Sequence, residues 1–89
     1  MEFDWDDDKA ASNLAKHGVA FEVVFDLDWD TCPIDEDSRF DYGEARYIAY
    51  ARAPDGQRYV VAFTLRSAVY RIISVRPFGR KELKIYGES

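Results

Sequence analysis

The side chains able to do chemistry in this chain fall into three groups. His17, its only histidine, can take up or release a proton near neutral pH, since an unperturbed imidazole titrates at about 6.5. It closes the run Asn13-Leu14-Ala15-Lys16-His17-Gly18, where Gly18 supplies a left-handed helix stop and the helix dipole favours a cation. The same place suits a histidine that does nothing but end a helix. Glu44 is a second candidate base, and its spacing of two from Arg46 puts both on one face if the segment is extended. That spacing equally suits a plain ion pair. Arg46, Arg66, Arg71 and Arg76 can each grip an anion through two parallel N–H groups. Arg71 interrupts a run where burial is expected, so it needs a carboxylate of this chain or a phosphate as partner. Lys9 and Lys16 add two cations about two helical turns apart, toward the end that bears His17.

These groups depend on the elements that carry them. Glu2 to Trp5 alternates polar and aromatic residues and predicts a short edge strand. Asp6 caps a helix with acids in its first turn, whose apolar face would be Ala10, Leu14 and Ala11. Val19 to Phe25 fits a buried strand or a short helix, and Asp26 to Asp41 reads as an acidic loop, broken by Pro33, with at most one short strand. Arg46–Arg52, Arg58–Arg66 and Val69–Arg76 are rich in β-branched and aromatic residues, and Pro54-Asp55-Gly56 and Ser67-Ala68 turn between them. They predict a three-stranded antiparallel meander, followed after Pro77 by a short basic helix from Gly79 to Tyr86. Strict alternation would set Arg71 with Ile73 and Val75, and Arg76 with Ile72 and Ser74. The order β-α-(α or β)-β-β-β-α describes an α+β sandwich with one helical face on a twisted sheet.

Composition narrows the class. The 89 residues suffice for one domain spanning 1–89, and 47% hydrophobic with 16% aromatic residues supplies a core. One cysteine, Cys32, excludes an internal disulfide, and with His17 it is too small a ligand set for a structural metal, so no metal or other cofactor is expected. No apolar run approaches the ~18 residues of a membrane span. The acidic N-terminus is unlike a secretory signal, so a cytoplasmic setting is the expectation. The net charge of −5 is uneven: Met1–Glu44 holds fourteen acids against three bases, a balance of −11, and Ala45–Ser89 nine bases against three acids, +6. A bipolar chain can hold phosphate on its basic half, or pair its two halves with each other.

Several blocks then carry a family resemblance. Phe3-x-Trp5-Asp6-x-x-Lys9, Asn13-x-x-Lys16-His17-Gly18-Val19-x-Phe21-Glu22, Gly43-Glu44-x-Arg46 and Arg71-Ile72-Ile73-Ser74-x-Arg76, followed by Glu82 and Tyr86, together resemble the BrnT toxins of type II toxin–antitoxin modules. The resemblance runs over nearly the whole chain and is weakest from Asp26 to Asp41. It implies a small RelE-like α+β domain that cleaves RNA without a metal. It also implies neutralisation by a BrnA-like ribbon-helix-helix antitoxin, with operator DNA bound only through that complex. Val75 stands where the family usually has alanine, and Phe78 where it has a small residue; either could reshape the floor of the site.

Metal-independent RNA cleavage needs a base for the 2′-OH proton, an acid for the departing 5′-oxygen and cations for the charge on phosphorus. His17 and Glu44 are the proton-transfer candidates, with Arg46, Arg66 and Arg76 as charge stabilisers. Lys9, Lys16 and Arg71 would hold the backbone, and Tyr47, Tyr50 and Tyr86 could stack on unpaired bases. Tyr86 could instead only staple the last helix to the sheet. Asn13 reads as structural, Phe3 and Trp5 as core, and Cys32 as incidental. The alternative is a catalytically inactive interaction module on the same fold. Convergence of His17, Arg46 and Arg76 in one cleft favours the enzyme, and arginines all paired with the acidic half favour the module. A basic antitoxin segment is expected on the acids between Asp26 and Glu44, weakened by salt.

Overall fold

The structure, a computed structural model, describes residues 1–39 and 41–87. Phe40, within the acidic segment, and Glu88, counted in the basic half, lie outside the described residues. The elements run β1 (Glu2–Trp5), α1 (Asp7–His17), a 3-10 helix (Phe21–Asp26), β2 (Ile34–Asp37), β3 (Arg46–Arg52), β4 (Arg58–Arg66), β5 (Val69–Pro77) and α2 (Arg80–Tyr86). The five strands form one mixed sheet in the order β1-β5-β4-β3-β2. The meander of β3, β4 and β5 is antiparallel as expected, and β1 joins its edge in parallel to β5. The acidic segment supplies the one short strand β2 against β3. Among the described residues, no helix is long and apolar enough to cross a membrane.

Local chemistry explains the boundaries. The Asp6 carboxylate accepts the N–H of Asp8 at 2.8 Å and of Lys9 at 3.2 Å, meeting donors that the first turn of α1 leaves unpaired. Gly18, at φ 70°, closes α1 with its N–H on the Leu14 carbonyl. The β4–β5 turn is tighter than a glycine-free link normally permits: Ser67 and Ala68 both take positive φ, 50° and 67°.

The core lies on one side of the sheet. Phe21 and Val24 of the 3-10 helix meet Ala49 and Ala51 of β3, Val61 and Phe63 of β4, and Ile72 and Val75 of β5. Of Val19 to Phe25, the part from Phe21 onward thus resolves as a helix of the tighter kind, with Ala20 extended ahead of it. Phe3, Trp5, Trp29 and Tyr70 pack around this cluster. Helix α1 departs from expectation. Leu14 is 51% exposed and Ala11 is exposed, while the buried residue is Asn13. Its amide donates to the Val75 carbonyl at 2.8 Å and to Val19 O at 3.0 Å, and accepts the Val75 N–H at 3.1 Å. The side chain therefore stands in for a sixth strand where β1 has ended, so α1 needs no wide apolar stripe.

Two further expectations are corrected. Helix α2 lies on the opposite side of the sheet from the core, so the molecule has helices on both faces. Strict alternation on β5 fails as well. Ala62 pairs Ser74 but Phe63 pairs Ile72, which leaves Ile73 as an extra residue, a β-bulge. Ile72 and Val75 consequently both enter the core, and Arg71, Ser74 and Arg76 all face away from it.

Candidate active site

The face opposite the core carries the cations in cross-strand rows. One row reads Asp4, Arg71 and Thr64 across β1, β5 and β4, and continues as Arg46 and Asp37 across β3 and β2. The next is Ser74, Ala62, Ile48 and Asp35; the third is Arg76, Val60 and Tyr50. Between these rows and α2 lies a groove of about 650 Å³ lined by Arg46, Arg76, Ile73, Ser74, Glu82 and Tyr86 among others. The Tyr86 ring stacks on Tyr50 with centroids 4.2 Å apart, and its hydroxyl donates to Asp35 at 3.1 Å. In this position Tyr86 staples α2 to the sheet.

Most of the arginines hold carboxylates of the chain. Arg76 forks onto Glu82 at 3.0 and 2.9 Å, and Glu82 also accepts the Gly79 N–H at 2.7 Å. The Arg76 guanidinium, and then the Gly79 amide, hold the Glu82 carboxyl down at about 2. Arg71 pairs with Asp4 at 2.6 Å. Glu44 pairs with Arg66, at 3.2 and 2.8 Å, rather than with Arg46. The expected one-face geometry does not apply, because Glu44 sits in a bend ahead of β3. The Arg66 hydrogen bonds keep the Glu44 carboxyl below its ordinary range, with the charges of Arg46 and Arg71 adding to them. Arg46 makes no ion pair among the described residues; its guanidinium lies 3.8 Å over the Tyr42 ring.

The α1 cations form a neighbouring surface. Lys9, Lys16 and His17 line a shallow depression of about 300 Å³ with Ser12, Asn13 and the β5 residues Ile73 and Ser74. Ile73 and Ser74 also line the groove, so the two concavities meet across the bulge. Arg46 and Arg76 therefore share one groove, and His17 stands in the adjoining depression. Among the described residues no three His, Cys, Asp or Glu side chains come together as a cation-binding group.

The sequence comparison decides the family. A model of the ribonuclease toxin BrnT of type II toxin–antitoxin systems matches residues 5–82. The chain belongs to the BrnT toxin family. The crystal structure of the Brucella abortus ribonuclease toxin BrnT superposes with a TM-score of 0.60, over 90% of this chain and 99% of that one, at 22% identity. That likeness establishes a shared BrnT fold. A comparison with curated proteins found no match. Membership makes the chain a toxin of a family described as ribonucleases, with an antitoxin implied as its partner.

The two residues noted as departures from the BrnT pattern lie in the core and beside the groove-lining Tyr50. Val75 is fully buried in the core. Phe78 packs edge-on to Tyr50 at 6.3 Å, and its N–H donates to Arg58 O. Cys32 is half-buried in the loop before β2, and burial pushes its thiol up. Two residues of the face were missed as site members. Glu82 was visible in the family blocks but not as the partner of Arg76. Thr64 was signalled only by strand alternation, which sets it on the face of Arg66.

Proposed function

We propose that this BrnT-family toxin cleaves RNA without a metal ion, using the sheet face opposite the core as its substrate platform. The observation that carries the reading is the continuity of the Arg46–Arg76 groove with the Lys9–Lys16–His17 depression across Ile73 and Ser74. A single strand lying along β5 would meet cations at both ends of this path. In the proposed mechanism His17 exchanges protons with the 2′-OH or the leaving 5′-oxygen, as an imidazole can do near neutral pH. Arg76 and Arg46 stabilise the charge that develops on phosphorus, with Arg66 and Arg71 behind them. Lys9 and Lys16 hold the flanking backbone. Glu44 can act as base only once Arg66 releases it, because that fork favours the ionised, weakly basic carboxylate. Tyr86 is free to stack on a base only at the cost of its contact with Tyr50.

The partners proposed with this activity are a BrnA-like ribbon-helix-helix antitoxin and, through that complex alone, operator DNA. The pairing of Arg66, Arg71 and Arg76 with carboxylates favours a second reading, an inactive interaction module. Two of these carboxylates, Asp4 and Glu44, belong to the acidic half, and Glu82 does not.

The test is induction of the wild-type chain and an Arg76→Ala variant in a bacterial host, with growth and RNA integrity followed together. The proposal expects arrest and RNA decay with wild type, both lost in the variant. Cleavage by the purified protein should persist in excess EDTA. Soluble wild-type protein that leaves growth and RNA intact would establish the module reading instead.

A further inference from the structure

We infer that Arg46, Arg66 and Arg71 form, around the Thr64 hydroxyl, a site for one phosphate group, which the Glu44 carboxylate occupies as an internal competitor. The inference rests on the RNA-platform reading and specifies how one end of that platform takes hold of the backbone. Its starting point is an anomaly of the sheet. Thr64 is 2% exposed, and its Oγ1 is buried with no hydrogen-bond partner among the described residues. A buried hydroxyl without a partner is costly, so its neighbours indicate what it is kept for.

Those neighbours are cations. Arg71 stands directly opposite Thr64 on β5. On β3 the opposite position, one step beyond the Tyr47–Phe63 pair, is Arg46. Opposed residues have Cβ atoms about 5 Å apart. Arg66 lies two residues on along β4, on the same face and about 7 Å away. Three guanidiniums thus spring from positions surrounding one hydroxyl donor. A phosphate group carries four oxygens in a tetrahedron, two of them ester oxygens in a phosphodiester, so it can meet guanidiniums from more than one side and still face a hydroxyl, whereas a carboxylate has two in one plane.

Glu44 already shows what such a site binds. Both its oxygens lie on the Arg66 fork, the geometry a phosphate would take, and Thr64 Oγ1 stays unpartnered. The same carboxylate feels Arg46 and Arg71 after Arg66, as a group near the focus of all three would. Glu44 is also placed to leave. Its side chain is 39% exposed, in a bend next to Gly43 at φ 79°, and no strand or helix holds it. The ligand class is therefore a phosphate oxyanion, carried on this protein by a phosphodiester of single-stranded RNA.

The experiment titrates the purified full-length protein with inorganic phosphate and with a short single-stranded oligoribonucleotide, read by amide NMR shifts around Thr64. Glu44→Gln should tighten binding of both by about fivefold or more, the equivalent of freeing one charge-assisted pair. Thr64→Val should weaken both about fivefold while raising the thermal midpoint, because it removes an unpaired buried hydroxyl. Asp4→Asn, releasing Arg71, should tighten binding independently of Glu44. Phosphate affinities unchanged in Glu44→Gln and Thr64→Val overturn the inference, as does a lowered midpoint in Thr64→Val. Wild-type RNA cleavage with all these variants indifferent overturns the site but leaves the ribonuclease reading standing. Phosphate binding that follows the prediction, in a protein that neither binds nor cuts RNA, supports the site and overturns that reading.

Discussion

At the α2 end of the exposed face, Arg76 is held by a carboxylate that also caps a helix, whereas at the hairpin end Arg66 and Arg71 are held by carboxylates open to solvent. The Glu82 side chain is 12% exposed and also caps α2, while those of Glu44 and Asp4 are 39% and 55% exposed. An ion pair that doubles as a helix cap fixes its arginine at one point in space. Ion pairs in open water contribute little and exchange readily for a better anion. The comparison suggests a division of labour: Arg76 is pre-positioned, and the Arg46–Arg66–Arg71 group is ready to trade partners.

The largest expected effect tests that division directly. Arg76→Ala should lower RNA cleavage by about 10²–10³-fold, as losing a fixed donor to the developing charge does. Arg66→Ala, flanked by two other arginines, should lose about tenfold; equal losses in a cleavage assay would dissolve the distinction. Asn13→Ala should destabilise the chain by about 2–4 kcal/mol in urea unfolding, since it strands the Val75 N–H and C=O that it pairs at the edge of β5. A cost near zero would mean that α1 does not anchor the Arg76 end. Glu82→Gln should cost about 1 kcal/mol through the weakened cap and fork.

The pH response follows from the same carboxylate. Glu82 has a folded value of about 2 against an ordinary 4.5, so its contribution is complete above about 4.5 and fades as the pH falls toward 2. Thermal midpoints of wild type and Glu82→Gln should therefore converge across that window and stay apart above it. The smallest effect belongs to the hairpin. Ala68→Gly should stabilise by up to about 1 kcal/mol, because glycine takes positive φ without the Cβ penalty. Cleavage unchanged in that variant would show that the hairpin end needs no strain to work.

Much of this architecture was written locally. The three meander strands match their β-branched and aromatic runs, with β5 one residue longer than expected, because residues of that kind favour a pleated surface wherever they fall. Asp6 and Gly18 bound α1 because each satisfies orphan backbone groups within a few residues. What was illegible depends on distant parts of the chain. Leu14 looked buried because nothing local reveals that Asn13, through Val75, does the docking. Glu44 looked paired with Arg46 because its true partner, Arg66, lies 22 residues away across a hairpin. The bulge at Ile73 carries no glycine to announce it. The cations of the candidate site could be named from the sequence, but which carboxylate restrains each of them could not.

That bulge also sets how the family sequence can drift in length. Arg71 and Arg76 are five residues apart, an odd spacing that on a regular strand would send them to opposite faces, and the extra residue brings them to the same one. Deleting Ile73 would remove the bulge and let the strand run regularly through Ile72, Ser74 and Val75, changing neither the core position of Val75 nor the shared face of Arg71 and Arg76. Replacing Ile73 by another apolar residue would disturb neither. Loss of Ile73 should thus be better tolerated than loss of a residue from the regular strand β3, where a one-residue slip turns every following side chain to the other face, a contrast that a deletion scan of both strands scored for soluble protein would expose.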